Sequence, residues 1–223
     1  MSMSFIAENI RKITGELPSG VRLVAVSKTH PAETVLEAYK TGQRIFGENR
    51  VQEMLVKKDA LPSDIEWHLI GHLQTNKVRQ IAPFVSMIHS VDSERLLSEI
   101  SKEALRCGRS IDCLLQVHIA TEETKFGMDR NELIASVRRI AADPMPGVRI
   151  RGLMGMATFT DDAEIIRSEF RYIQNLFKEV HTDFFNESPD FNELSIGMSG
   201  DYKLALEFGT TLVRIGTAIF GIR

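Results

Sequence analysis

Lys28 follows Val24 and Val26 at two-residue steps in Val24-Ala25-Val26-Ser27-Lys28-Thr29. Alternation along a strand puts these three side chains on one side. If that side is the inside of a closed sheet, the amine stands at the mouth of a pocket. Loss of hydration there lowers a lysine's pKa, and the neutral amine becomes a nucleophile toward carbonyls. Its natural product with an aldehyde is a Schiff base. The other reading is a solvated lysine at a strand end.

A second group lies near the C-terminus. Arg214 sits inside the apolar run Leu212-Val213-Arg214-Ile215. A buried guanidinium needs a partner, either a ligand or a nearby carboxylate. Gly216-Thr217 follows at once. Glycine lets a ligand approach the backbone, and free N–H groups beside a hydroxyl suit a phosphate. Ser195-Ile196-Gly197-Met198-Ser199-Gly200-Asp201 is a small, hydroxyl-rich loop before a short helix. It reads as an anion cradle with Ser199 as donor, or as a turn in which Asp201 caps the helix. The Gly-x-Ser-x-Gly spacing of a hydrolase is absent.

Other candidates are more equivocal. Asn49, after Gly47-Glu48, either bonds a ligand oxygen or caps a helix starting at Arg50. His68 and His72 have metal-ligand spacing only on a helix, and Trp67-His68-Leu69-Ile70-Gly71 reads as strand. No metal site is therefore expected. His72, Gln74 and Asn76 either line the mouth or start the next helix. Lys125 and Gly127 read as a solvated loop, and Met154 and Met156 as core.

The elements that must position these residues alternate in period. Helical spacing runs through Ile6, Ile10, Ile13 and Leu17. Strand patterns fall near Val21–Val26, Arg44–Phe46, Glu66–Ile70, Val85–Val91, Ile111–Ile119, Val148–Ala157, Asn192–Gly197 and Thr211–Gly216. Helical patterns separate them, at Pro31–Tyr39, Arg50–Lys58, Thr75–Ile81, Ser93–Arg106, Asp129–Ala142, a longer stretch from Ile166 to Phe184, and Tyr202–Phe208. Repeated βα units imply a parallel sheet with helices outside. The expected fold is α/β, a single-domain (β/α)8 TIM barrel over residues 1–223, with an extra N-terminal helix at Phe5–Leu17. The usual length is ~250 residues, with ~200 as the lower end. An open doubly wound sheet is the competitor. Arg223 follows the last strand so closely that no eighth helix is expected after it. The N-terminal helix would take that outer place. Chemistry in such a barrel sits where strands end.

Composition limits the partners. The chain has 223 residues, with 27 Lys+Arg against 30 Asp+Glu, for a net charge of -3. That is no basic excess of the kind that holds nucleic acid. There is no signal-like h-region near the N-terminus and no run of ~18 apolar residues. Cys107 and Cys113 form no metal spacing and read as reduced thiols, with one disulfide as the alternative. A soluble cytoplasmic protein is expected.

An amine for an aldehyde and a cradle for a phosphate are both satisfied by one aldehyde that carries a phosphate. Pyridoxal 5′-phosphate (PLP) is the economical candidate, and a phosphosugar is the other. Ala25-Val26-Ser27-Lys28-Thr29, Phe46-Gly47-Glu48-Asn49-Arg50-Val51-Gln52-Glu53, Trp67-His68-Leu69-Ile70-Gly71-His72-Leu73-Gln74-Thr75-Asn76-Lys77, Leu194-Ser195-Ile196-Gly197-Met198-Ser199-Gly200-Asp201 and Arg214-Ile215-Gly216-Thr217 run in order along the chain. In these motifs the sequence resembles the pyridoxal phosphate homeostasis protein family. The resemblance implies a barrel like the N-terminal domain of alanine racemase. It implies that Lys28 carries PLP as a Schiff base, that Ser199, Gly216 and Thr217 hold the phosphate, that Arg214 faces the pyridine nitrogen and that Asn49 lies beside the ring. Arg50 stands where the family often has Tyr. Leu153-Met154-Gly155-Met156-Ala157-Thr158 replaces a Pro-containing turn of many members.

The family is regarded as binding and delivering cofactor, with PLP-dependent apo-enzymes as possible recipients and no known catalysis. The alternative is a PLP-dependent amino-acid racemase of weak activity. Racemisation needs acid/base groups on both faces of the α-carbon. In alanine racemases a Tyr from a second domain supplies one, and no residues are left here for that domain. Of the three tyrosines, Tyr39 and Tyr172 read as mid-helix and Tyr202 as a helix start. A monomer is expected. A Schiff-base aldolase acting on a sugar phosphate is the third reading.

Overall fold

The computed structural model describes residues 4–121 and 126–221. Thr124 and Lys125 lie outside them. Eight parallel strands close into a barrel in chain order. They are β1 (Arg22–Val26), β2 (Ile45–Glu48), β3 (Glu66–Leu69), β4 (Met87–Val91), β5 (Ile111–Val117), β6 (Val148–Gly155), β7 (Glu193–Met198) and β8 (Leu212–Ile215). The helices are α1 (Phe5–Glu16), α2 (Ala32–Lys40), α3 (Val51–Ala60), α4 (Val78–Ile81), α5 (Glu94–Arg106), α6 (Arg130–Ala142), α7 (Ala163–Phe184), α8 (Tyr202–Leu206) and α9 (Thr217–Phe220). The open-sheet competitor is excluded by the pairing of β1 with β8, where Val24 lies beside Arg214.

Local chemistry sets the helix starts. Ser4 caps α1 by accepting the Ala7 N–H, and Ile6, Ile10 and Ile13 bury one stripe. Asp129 and Glu132 form a reciprocal capping box on α6. Sidedness of the strands then divides the core. Val24, Met87, Leu114, Met154 and Leu212 pack together inside the barrel. Their neighbours Ala25, Ile88, Leu115, Leu153 and Val213 face the helices in the larger outer core. The Val24 side is therefore the inside, as the reading of Lys28 requires.

Several boundaries differ from the sequence reading. The strands from Ile111 and Val148 stop at Val117 and Gly155. The segment before α4 begins as a 3-10 turn, Thr75–Lys77. A helix does follow β8: α9, a single turn, too short for periodicity to register. α1 packs against α2 and α9, so it shares the outer place that it was expected to fill alone. Asn9 Nδ2 donates to Ile219 O at 3.0 Å. Both cysteines are free thiols, Cys107 exposed and Cys113 buried. Among the described residues, no helix is long and apolar enough to cross a membrane.

Candidate functional site

Lys28 lies half-buried in the turn after β1. Both of its neighbours are anchored. Ser27 Oγ donates to Glu48 Oε1 at 2.6 Å. Lys57 Nζ, from the buried face of α3, donates to Ser27 O at 2.7 Å and to Glu48 Oε1 at 2.6 Å. On the other side, Thr29 N donates to Glu53 Oε2 at 2.6 Å. Thr29 is the one non-glycine residue at positive φ, 64°, among the described residues. That conformation is costly for a β-branched side chain and persists only when its surroundings fix it. Glu48 is fully buried, and its Oε2 has no hydrogen-bond partner among the described residues. Burial pushes the Glu48 pKa up, against the hydrogen bonds from Lys57 and Ser27.

Arg214 is 3% exposed. Nη1 donates to Ser195 O at 2.8 Å and to Ser195 Oγ at 2.6 Å, and Nη2 donates to Gly155 O at 2.9 Å. Neutral oxygens thus take these hydrogen bonds. Burial lowers its pKa to about 10, with the Asp201 carboxylate opposing. Beyond Ser195 the contacts continue across the barrel. His89 Nδ1 lies 3.1 Å from Ser195 Oγ, and His89 Nε2 lies 2.9 Å from His68 Nδ1. Burial brings His68 down to about 3 and holds His89 well below the ordinary imidazole range.

The cradle forms where β7 and β8 end. Ser199 Oγ accepts from Gly216 N at 3.1 Å and from Ala218 N at 3.5 Å. These N–H groups therefore converge on one oxygen at the start of α9. Gly197, at φ 92°, lets the chain fold close over α8, where a Cβ would meet the Ala205 Cβ at 2.7 Å. Asp201 Oδ1 accepts from Met198 N and makes no side-chain cap on α8, which corrects that alternative. Gly216 backs onto β1, since a Cβ on it would lie 3.1 Å from Val26 O. Lys28 and the cradle thus sit on adjacent strand ends.

Asn49 does not cap α3. The helix starts after Arg50 and has no side-chain cap bond, because the strand-to-helix turn places Asn49 one residue too early. Its backbone is pressed against Gly71, where a Cβ would lie 2.4 Å from Asn49 O. His68 points into the barrel, while His72 stays on the rim, 3.2 Å from Asp92 and stacked on Phe126 at 4.2 Å. Among the described residues, no three His, Cys, Asp or Glu side chains converge to hold a metal. Sequence reasoning assigned no role to Ser27, Glu48, Lys57, Gly71, His89 or Ser195. Lys57 did carry a signal: it follows Val51 and Met54 at three-residue steps on the buried face of α3.

The sequence profile described as "Alanine racemase, N-terminal domain" matches residues 1–223. The pyridoxal phosphate homeostasis protein of Aquifex aeolicus (strain VF5) is 38% identical over 225 residues, covering 99% of this chain and 96% of that protein. The chain belongs to the pyridoxal phosphate homeostasis protein family. PipY, the COG0325 family member of Synechococcus elongatus PCC7942, has been solved without PLP. It is 39% identical, with a TM-score of 0.91, over 97% of this chain and all of that one. The same protein with PLP bound gives a TM-score of 0.88 over the same share of this chain. Alanine racemase from Streptomyces lavendulae, 18% identical with a TM-score of 0.76, aligns with 98% of this chain and 57% of its own length. That likeness is one of fold.

Proposed function

We propose that the chain, acting as one domain over residues 1–223, binds PLP at the C-terminal end of its barrel and buffers or supplies it to other proteins. The observation that carries this reading is the adjacency of Lys28, in the turn after β1, to the convergent N–H groups at the start of α9. When bound, PLP supplies an aldehyde that condenses with an amine and a phosphate that needs donors. The donor set fits both. Lys28 would take the aldehyde. Gly216 N and Ala218 N, which now meet the Ser199 oxygen, would donate to a phosphate oxygen. Ser199 and Thr217 would add hydroxyls. Arg214 would face the ring nitrogen, and Asn49, whose side chain makes no hydrogen bond among the described residues, would lie beside the ring. The bound form of PipY supports this reading by kinship.

A carrier suits these residues better than a racemase. Arg214 is cationic and can only donate, so it disfavours a second positive charge on the ring and weakens its use as an electron sink. The phenol of Tyr202, at the start of α8, donates to Glu16 Oε2 at 2.6 Å. The phenol of Tyr39 donates to Asp64 at 2.8 Å. Both are committed away from Lys28. The apo-enzymes of PLP chemistry are the proposed recipients. A monomer in a thiol-reducing cytoplasm fits the unpaired cysteines. It also fits the scatter of large exposed apolar side chains over α1, α3, α5, α7 and two loops.

The test is the visible spectrum of the protein with PLP, for the wild type and for Lys28→Ala, followed by borohydride reduction and peptide mass mapping. A yellow band lost in the variant, with a reduced phosphopyridoxyl group on the Lys28 peptide, is expected. A wild type that stays colourless and takes up no PLP overturns the reading in favour of a phosphosugar ligand.

A further inference from the structure

Across the barrel interior, from Arg214 at the ligand site, runs a line of hydrogen-bonding groups, Arg214, Ser195, His89 and His68, of which the last three have no place in the PLP contacts set out above. They come from four strands, β8, β7, β4 and β3, and all four are buried. Hydrogen counting fixes the direction of the line. A guanidinium only donates, so Ser195 Oγ accepts from Arg214 Nη1 at 2.6 Å. The hydroxyl must place its own proton, and the other partner of that oxygen among the described residues is His89 Nδ1 at 3.1 Å. His89 Nδ1 is therefore bare, and its proton is on Nε2. That proton goes to His68 Nδ1 at 2.9 Å, so His68 is also bare at Nδ1. The opposite direction would leave the Ser195 hydroxyl proton without an acceptor in a fully buried position, at a cost comparable to a lost hydrogen bond.

We propose that His89, with Ser195 before it and His68 behind it, is a positioning residue that keeps the buried Arg214 guanidinium charged and oriented toward the ligand site. The proposal rests on the PLP reading in taking the ring nitrogen as the group that Arg214 meets. Each member turns a lone pair toward the cation and its proton away. The line thus does for Arg214 what a chain of ordered waters would do, and its members polarise one another. It works only while both imidazoles are neutral, because a charged His89 would set a second cation in the same dry interior. Burial favours that neutral state at both rings. With Ser195 O and Gly155 O each accepting a further hydrogen bond from it, the guanidinium is held by three bonds against rotation.

The first experiment uses the wild-type protein without cofactor. Its histidine 15N spectrum near neutral pH is expected to show both rings neutral, with the proton on Nε2. A charged ring, or a proton on His89 Nδ1, overturns the line. The second compares PLP binding by His89→Leu and His89→Gln. Leucine removes the acceptor and is expected to weaken binding about tenfold and to shift the absorption of the bound cofactor. Glutamine offers an oxygen to Ser195 and an N–H to His68, and is expected to restore both. Wild-type affinity and spectrum in His89→Leu overturn the positioning role. If that variant does not fold, Ser195→Ala is judged by the same readouts. A wild type that binds no PLP sinks the cofactor reading instead, while the ligand-free spectrum still decides the direction of the line.

Discussion

Lys57→Met cuts the anchor behind Lys28 at its most buried point. The Lys57 side chain is 6% exposed and that of Glu48 is 0% exposed, with 2.6 Å between Nζ and Oε1. The substitution keeps the aliphatic stem, removes the donor to Ser27 O, and leaves a carboxylate in a dry pocket. Breaking a buried pair by removing one partner costs about 3–5 kcal/mol. For a chain of this length each kcal/mol is worth about 2–4 °C, so the melting temperature should fall by about 6–20 °C. The loss should also depend on pH. The folded pKa of Glu48 already lies above its ordinary value through burial, held back mainly by the Lys57 hydrogen bond. A raised folded pKa gives stability that is fully present below the unfolded pKa and is lost as pH rises through the folded value. Removing Lys57 lifts the folded value further. The gap between wild type and variant is therefore expected to be wider at about pH 8 than at about pH 5.5. Adding Glu48→Gln to Lys57→Met should return most of the loss at the higher pH. Urea unfolding of the three proteins at both pH values measures this. A loss under about 1 kcal/mol, or an equal loss at both pH values, would refute the argument that a buried charge pair holds this turn.

Gly71→Ala forces a Cβ to within 2.4 Å of Asn49 O. An overpacking cost of about 1–3 kcal/mol is expected, together with weaker PLP binding as Asn49 moves. Unchanged denaturation and titration curves would show that the two segments part freely. Ser199→Ala removes the oxygen that Gly216 N and Ala218 N now meet. It should weaken PLP about tenfold while leaving unphosphorylated pyridoxal unchanged, and equal losses for both ligands would place the phosphate elsewhere. Tyr202 is raised to about 12 by burial and by its hydrogen bond to Glu16, so Tyr202→Phe should leave PLP affinity and spectrum as they are. Racemase turnover in the wild type that disappears in this variant would contradict the carrier reading.

The barrel could be read from the sequence because two-residue and helical periods are local. Lys28, Arg214 and Gly216 could be placed at strand ends for the same reason: the apolar runs of β1 and β8 are local, and each residue falls within or just past one. Asn49 stayed ambiguous because ligand contact and helix cap are both served by a residue in that turn, and only the start of α3 after Arg50 separates them. Lys57 shares the three-residue steps of Val51 and Met54, but its partner Glu48 lies on β2, and only the docking of α3 against that strand brings them together. The line from His68 to Arg214 joins strands far apart in the chain, with His89 and Ser195 separated by 106 positions. No local pattern records such a pairing. Thr29 is similar, because its left-handed backbone is held by Glu53 of α3, one βα unit further along the chain.

The embrace of α1 by α9 bears on the order in which a ribosome makes the protein. Asn9 emerges early and must wait for Ile219, the residue it will hold. β1 likewise emerges with one edge bare and keeps it bare until β8 is made. Arg214, Gly216 and Thr217 all lie on that late segment, so every earlier translation product has Lys28 without its cradle. On the proposed reading, a nascent or prematurely ended chain would offer an aldehyde a lysine but could not tell a phosphorylated aldehyde from any other, and selectivity would arrive with β8.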